Sequence, residues 1–137
     1  MKSKIIINSI LIIEDDELTA SLYNFLLTEL HICKNIVIKT EPEEGLEFIR
    51  EKCLNNECPE LIFIDLKMQG LTGFELIEEI NKLKVSHNIN CKIVILTSSS
   101  FIKDREKAEE LSVDDYIIKP LSNEKIQSLI TKHFDIQ

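Results

Sequence analysis

Glycine and proline are scarce in this chain, with three of each among 137 residues. That leaves little material for a flexible linker or a low-complexity arm, so no second domain is expected. No apolar run reaches the roughly 20 residues that a membrane-spanning helix requires. Basic residues are outnumbered, 16 Lys and Arg against 24 Asp and Glu, and the formal net charge is -8. Nucleic acid or an anionic membrane surface would be repelled by that balance, which by itself serves solubility. The cysteines, Cys33, Cys53, Cys58 and Cys91, include no C-x-x-C pair, and Cys53 and Cys58 are too widely spaced for the usual zinc knuckle. All are expected as reduced thiols in a cytoplasmic protein, with Cys91 buried at the head of a strand. The opening "MKSKIIINSILII" imitates a signal peptide, but Asn8 and Ser9 interrupt it, no small-residue cleavage site follows, and "EDDE" comes at once.

What is present is an alternation. The length suits one domain spanning 1–137, with a core from about 9 to 134. "SILII" reads as a strand, and "DELTASLYNFLLTEL" as a helix with Leu18, Leu22, Phe25, Leu26 and Leu30 on its apolar face. "NIVIK" is a second strand, and the helix after it starts with Pro42 in its first turn, where the missing N–H is harmless. Leu46 and Ile49 form its apolar side. "LIFID" is followed by a helix burying Leu76, Ile77, Ile80 and Leu83. "CKIVILT" precedes a short charged helix, and "YIIK" precedes a last helix with Ile126, Leu129 and Ile130 inward. The first, third and fourth strands are continuous apolar runs, the pattern of strands covered on both faces. Strand–helix alternation of this kind implies a doubly wound parallel α/β sheet. The polar stretch "REKCLNNECPE" has no functional reading.

In such a sheet, ligands bind beyond the carboxyl ends of the strands. Glu14, Asp15 and Asp16 follow the first strand, Asp65 ends the third, Thr97 ends the fourth ahead of Ser98–Ser100, and Lys119 and Pro120 end the fifth. Each has an ordinary explanation: a helix cap, a strand-end hydroxyl, a surface charge. Their conjunction at one edge is what carries weight. Close carboxylates repel one another, and a hard divalent cation such as Mg²⁺ relieves that repulsion. A cation, an ammonium and a hydroxyl together suit the oxygens of a transferring phosphoryl group, with Asp65 as nucleophile.

The motifs "LIIED", "LIFIDLKMQGLTGFEL", "IVILTSSS" and "DDYIIKPL" resemble those of receiver domains of two-component response regulators, from about Ile10 to Phe134. The resemblance implies a CheY-like (βα)₅ fold in the strand order 2-1-3-4-5. It implies Mg²⁺ held by Glu14, Asp15, Asp65 and the carbonyl of Lys67. Asp65 would be the phosphoacceptor, Thr97 and Lys119 would contact the phosphoryl group, and Thr97 with Tyr116 would act as the switch. The Lys119–Pro120 bond would be cis. The partners implied are a sensor histidine kinase or histidine phosphotransfer protein, and a downstream protein partner; no nucleic acid and no membrane are expected. The sequence departs from the family at Gln69, where proline is common and stiffens the loop. It departs also at Ser112, in place of a frequent left-handed glycine, and at Thr72, where many members carry aspartate.

The expectation is a stand-alone receiver that is no multiple-turnover enzyme, signals through its fourth helix, fifth strand and fifth helix or by onward phosphotransfer, and has no output domain after the last helix. Two alternatives stand beside it. One is a degenerate receiver that docks partners without phosphorylation. The other is an aspartate-nucleophile phosphatase of the haloacid-dehalogenase type, whose usual second aspartate is replaced here by Lys67.

Overall fold

In the computed structural model, five parallel strands alternate with five helices: β1 (Ile7–Ile13), α1 (Glu17–Glu29), β2 (Cys33–Lys39), α2 (Pro42–Leu54), β3 (Leu61–Asp65), α3 (Gly73–His87), β4 (Lys92–Thr97), α4 (Ile102–Glu110), β5 (Asp115–Ile118) and α5 (Asn123–His133). Residues 6–68 and 70–134 are described; Gln69, and with it the expectation of a less rigid loop, lies outside them, as do the first lysines of the opening stretch. The strands lie in the order β2-β1-β3-β4-β5, all parallel, as the alternation and the resemblance imply.

Alternate residues of the central strands feed two separate cores. Leu11, Ile13, Ile62, Ile64, Ile93 and Ile95 pack under α2, α3 and α4. Ile10, Ile12, Leu61, Phe63, Val94 and Leu96 pack under α1 and α5. Both sides of one strand are therefore apolar, which explains the continuous runs in β1, β3 and β4. Among the described residues, no helix is long and apolar enough to cross a membrane.

Two expectations are corrected. The buried stripe of α1 is Ala20, Tyr23 and Leu27, while Leu18, Leu22 and Phe25 are exposed. At about 100° per residue these sets occupy opposite sides of the helix. The helix has two apolar faces, and hydrophobicity alone does not say which one meets the sheet; only Leu26 and Leu30 of the expected stripe pack against the core. The second correction concerns thiols: Cys53 and Cys58 form a disulfide, and only Cys33 and Cys91 are free among the described residues. The α2 end supplies the reason. Asn56 adopts a left-handed φ of 60°, and Asn56 and Glu57 donate their N–H groups back to Cys53 and Lys52 carbonyls, folding Cys58 against the helix. Cys91 is buried as expected.

Ser112 does take the left-handed conformation expected at the end of α4, with φ 59°. Thr72 caps α3 in a reciprocal box with Glu75: each side chain accepts the other residue's backbone N–H. Asp65 is thereby released from any capping duty.

Candidate functional site

The carboxyl edge of the sheet collects four buried polar side chains, Glu14, Asp65, Thr97 and Ser99. β1 delivers Glu14, whose backbone N–H still reaches Lys39 O at 3.2 Å, so the side chain starts from a fixed strand end. β3 delivers Asp65. Behind it the chain must pass very close to the first turn of α3: a Cβ on Gly73 would lie 2.5 Å from the Asp65 carbonyl oxygen and 2.7 Å from Leu66 Cα. Only glycine permits that approach, sealed by the Gly73 N–H to Leu66 O bond of 3.1 Å. Sequence reasoning did not single out Gly73; its placement three residues after a loop glycine and beside a helix cap was the available signal.

The acidic triplet divides its labour. Asp16 caps α1, accepting from the backbone N–H and hydroxyl of Thr19, and those hydrogen bonds hold its carboxyl below the ordinary range. Glu14 and Asp15 turn to the site: one carboxylate oxygen from each of Glu14, Asp15 and Asp65 falls within 4.8 Å of the others. Lys119 joins from the end of β5, positioned by its N–H to Thr97 O at 2.8 Å and followed by a cis bond to Pro120. Its ammonium donates to Glu14 Oε1 at 2.8 Å and lies 3.5 Å from Asp65 Oδ2. The other Asp65 oxygen accepts from Lys67 N–H at 3.4 Å.

Burial pushes the Glu14 carboxyl above the usual glutamate range, with the Asp65 charge adding to it and the Lys119 hydrogen bond working against both. Burial alone would lower Lys119, but the hydrogen bond to Glu14 and the two carboxylate charges raise it, so the ammonium is firmly charged. One ammonium among three carboxylates leaves net negative charge in a mostly buried place. That donor set, all oxygen and closely spaced, fits a hard divalent cation such as Mg²⁺.

Thr97 accepts the Ser99 N–H at 3.1 Å through its hydroxyl oxygen. Tyr116 on β5 donates its hydroxyl to the Ser99 carbonyl at 3.0 Å. The structure thus brings Glu14, Asp15, Asp65, Lys67 and Lys119 into one cluster, with Thr97 at its rim and Tyr116 linked to Thr97 through Ser99. Sequence reasoning read Ser99 only as part of the serine run after Thr97 and missed this bridging place.

Comparison with known proteins gives a consistent result. The family model described as response regulator receiver domain matches residues 10–131. The chain is 32% identical over 122 residues to a probable transcriptional regulator, ycf27, of Porphyridium aerugineum, covering 88% of this chain and 45% of that protein. It is 31% identical over 122 residues to the sensory transduction protein LytR of Staphylococcus epidermidis, covering 89% of this chain and 44% of that protein. The chain therefore spans less than half the length of these curated relatives. Among solved structures it is similar to a two component response regulator from Cytophaga hutchinsonii, with TM-score 0.83, 28% identity, and coverage of 92% of this chain and 96% of that one.

Proposed function

The chain belongs to the response regulator receiver domain family, and from that premise we propose that it accepts a phosphoryl group on Asp65 from a phosphohistidine of a sensor histidine kinase or histidine phosphotransfer protein. The observation that carries this reading is the Lys119 ammonium set between Glu14 and Asp65, 2.8 and 3.5 Å away, in a cluster whose third carboxylate is Asp15.

In the proposed step an Asp65 carboxylate oxygen forms a bond to phosphorus as the phosphorus–nitrogen bond of the donor breaks. The electron pair of that bond returns to the imidazole, which leaves neutral if its other nitrogen keeps a proton. Lys119 stands beside one Asp65 oxygen, where an added phosphoryl oxygen would meet its positive charge. Thr97 already accepts an N–H through its oxygen, which leaves its single hydroxyl proton to donate to a phosphoryl oxygen. Glu14, Asp15, Asp65 and the Lys67 carbonyl would hold Mg²⁺. When bound, that ion would neutralise the carboxylates and the charge on the transferring group.

Docking of the donor is supported by α1. Leu18, Leu22 and Phe25 are 83%, 49% and 60% exposed, and Leu18 also lines a cleft of about 740 Å³ with Asp15, Asp16, Glu17, Glu41 and Glu43. A donor helix with apolar and basic residues would match that surface and bring its histidine to Asp65. Output to a downstream protein partner would use α4, β5 and α5, where Phe101 and Ile102 are largely exposed.

The test is incubation with Mg²⁺ and a small acyl-phosphate, followed by intact-mass measurement. The proposal expects one added phosphoryl group, lost in Asp65→Asn, with no multiple turnover. Continuous consumption of many equivalents would mark a phosphatase instead, and no uptake from either the acyl-phosphate or a phosphorylated kinase would mark a phosphorylation-independent docking module.

A further inference from the structure

Ser99 is a buried polar residue whose four hydrogen bonds lead to three different parts of the molecule. Its N–H donates to Thr97 Oγ1 at 3.1 Å, on β4. Its carbonyl accepts from the Tyr116 hydroxyl at 3.0 Å, on β5. Its hydroxyl donates to Asp104 Oδ2 and accepts the Phe101 N–H at 3.3 Å, both on or beside α4. Phe101 is the N-cap residue of α4 and has no side-chain cap bond of its own, so Ser99 supplies that cap from two residues upstream. Asp104 lies in the first turn of the same helix, where a carboxylate is favoured by the helix dipole. The next residue, Arg105, places its guanidinium 5.0 Å from the centre of the Tyr116 ring. Two consecutive residues of α4 therefore grip the two ends of one bond: Asp104 holds Ser99, and Arg105 holds Tyr116.

We infer that Ser99 and Asp104 form the positioning link that ties the Thr97 hydroxyl to the start of α4, so that displacement of Thr97 moves α4 and Tyr116 together. The inference rests on the reading above that Thr97 contacts a phosphoryl group. A shift of Thr97 toward Asp65 draws the Ser99 N–H with it. The N–H, carbonyl and hydroxyl of Ser99 hang on one Cα, so a shift of the first is passed to the other two, which lead to Tyr116 and to Asp104. Breaking the Ser99–Asp104 bond frees the loop from the helix and leaves the phosphoacceptor itself untouched. An Asp104 that served only to cap α4 would weaken the helix on removal but would leave the response of Tyr116 to the site as it was.

The experiment labels the full chain with 3-fluorotyrosine, which marks Tyr23 and Tyr116 only, and assigns the Tyr116 fluorine signal by Tyr116→Phe. Spectra are recorded for the free protein and at saturating Mg²⁺ and beryllofluoride, a phosphoryl mimic. In the wild type the mimic shifts the Tyr116 signal. Ser99→Ala and Asp104→Ala, each of which removes one partner of the Ser99–Asp104 bond, are expected to reduce that shift at least threefold while the chain still accepts one phosphoryl group. Ser99→Thr, which keeps the hydroxyl, restores it. The double variant Ser99→Ala/Asp104→Ala is no worse than Ser99→Ala alone, because loss of the Ser99 hydroxyl already removes the bond to Asp104. In the free protein, both single variants move or broaden the Tyr116 signal. Single variants with wild-type Tyr116 signals in the free protein overturn the link, and so do additive losses in the double variant. A wild type that takes up neither mimic nor phosphoryl overturns the proposed function, and the link is then decided by the free-protein spectra alone.

Discussion

The two ends of the sheet treat polar groups in opposite ways. At the amino end, charged side chains answer backbone groups. Asp114 Oδ2 accepts the Ile93 N–H at 2.8 Å, Glu60 accepts the Asn8 N–H, and Lys84 donates to the Cys91 carbonyl at 3.1 Å. Asp115 accepts its neighbour's N–H and pairs with His133 at 2.9 Å. At the carboxyl end Glu14 and Asp65 also accept a backbone N–H each, but with Asp15 their carboxylates crowd into one cluster. Charges that satisfy loose strand ends stabilise the fold; charges gathered in a buried mouth oppose it and are kept for what they can bind. The contrast predicts that substitutions at the amino end will lower stability and leave chemistry, and that substitutions at the carboxyl end will remove chemistry without lowering stability.

The largest expected effect is at Asp65. Asp65→Asn keeps the shape and removes the nucleophile, so phosphoryl uptake should vanish while the far-ultraviolet circular dichroism stays unchanged and the melting temperature does not fall. Phosphorylation of that variant at the same site would break the comparison at its centre. Next comes the cluster itself. Mg²⁺ should raise the melting temperature of the wild type, with a gain of about 2.7 kcal/mol when free ion is about a hundred times its dissociation constant. Glu14→Gln with Asp15→Asn should raise metal-free stability and abolish the response. A simple helix cap behaves the other way, because its loss lowers stability.

A smaller effect is expected at the amino end, from Asp114→Ala. The Ile93 N–H loses its acceptor, and β4 with it one fastening to the turn before β5. The expected loss is about 1–3 kcal/mol in urea unfolding, with phosphoryl uptake per folded molecule unchanged. A variant with normal stability and impaired uptake would erase the distinction between the two ends.

Much of this layout was legible in the residues. The parallel sheet with helices on both faces follows from continuous apolar runs alternating with amphipathic ones, because such a sheet must bury both sides, while its strand order was implied by the resemblance to receiver domains. The meeting of Glu14, Asp65 and Lys119 was legible too, because parallel strands bring all their carboxyl ends to one edge whatever lies between them in sequence. Other features were hidden for definite reasons. Leu18, Leu22 and Phe25 have the hydrophobicity of a core stripe, and nothing local distinguishes a face turned to the sheet from a face turned outward. The Cys53–Cys58 bond depends on the left-handed turn at Asn56, which spacing alone does not reveal. The role of Ser99 depends on where α4 begins, and a helix that starts at Phe101 without a capping side chain gives no sequence signal for it.

The smallest expected effect separates charge from shape at the amino end. Burial would raise the Asp115 carboxyl, but the His133 hydrogen bond, the Tyr116 N–H and the nearby Lys132 together hold it below the ordinary aspartate value of 3.8. A depressed value means that the fold favours the ionised form. Its contribution is therefore complete above about 3.8, the value of the unfolded chain, and disappears as pH falls through the lower folded value. Lys132 and half-exposed neighbours allow water to screen the pair, so the contribution should not exceed about 1 kcal/mol. Asp115→Asn retains an acceptor for the Tyr116 N–H and loses only the charge. Urea unfolding of both proteins at neutral pH should show the variant slightly less stable, and the gap should close as the solution is taken below the aspartate range. A gap of the same size at every pH would mean that packing rather than charge holds His133 to β5, and the amino end would then owe its stability to shape alone.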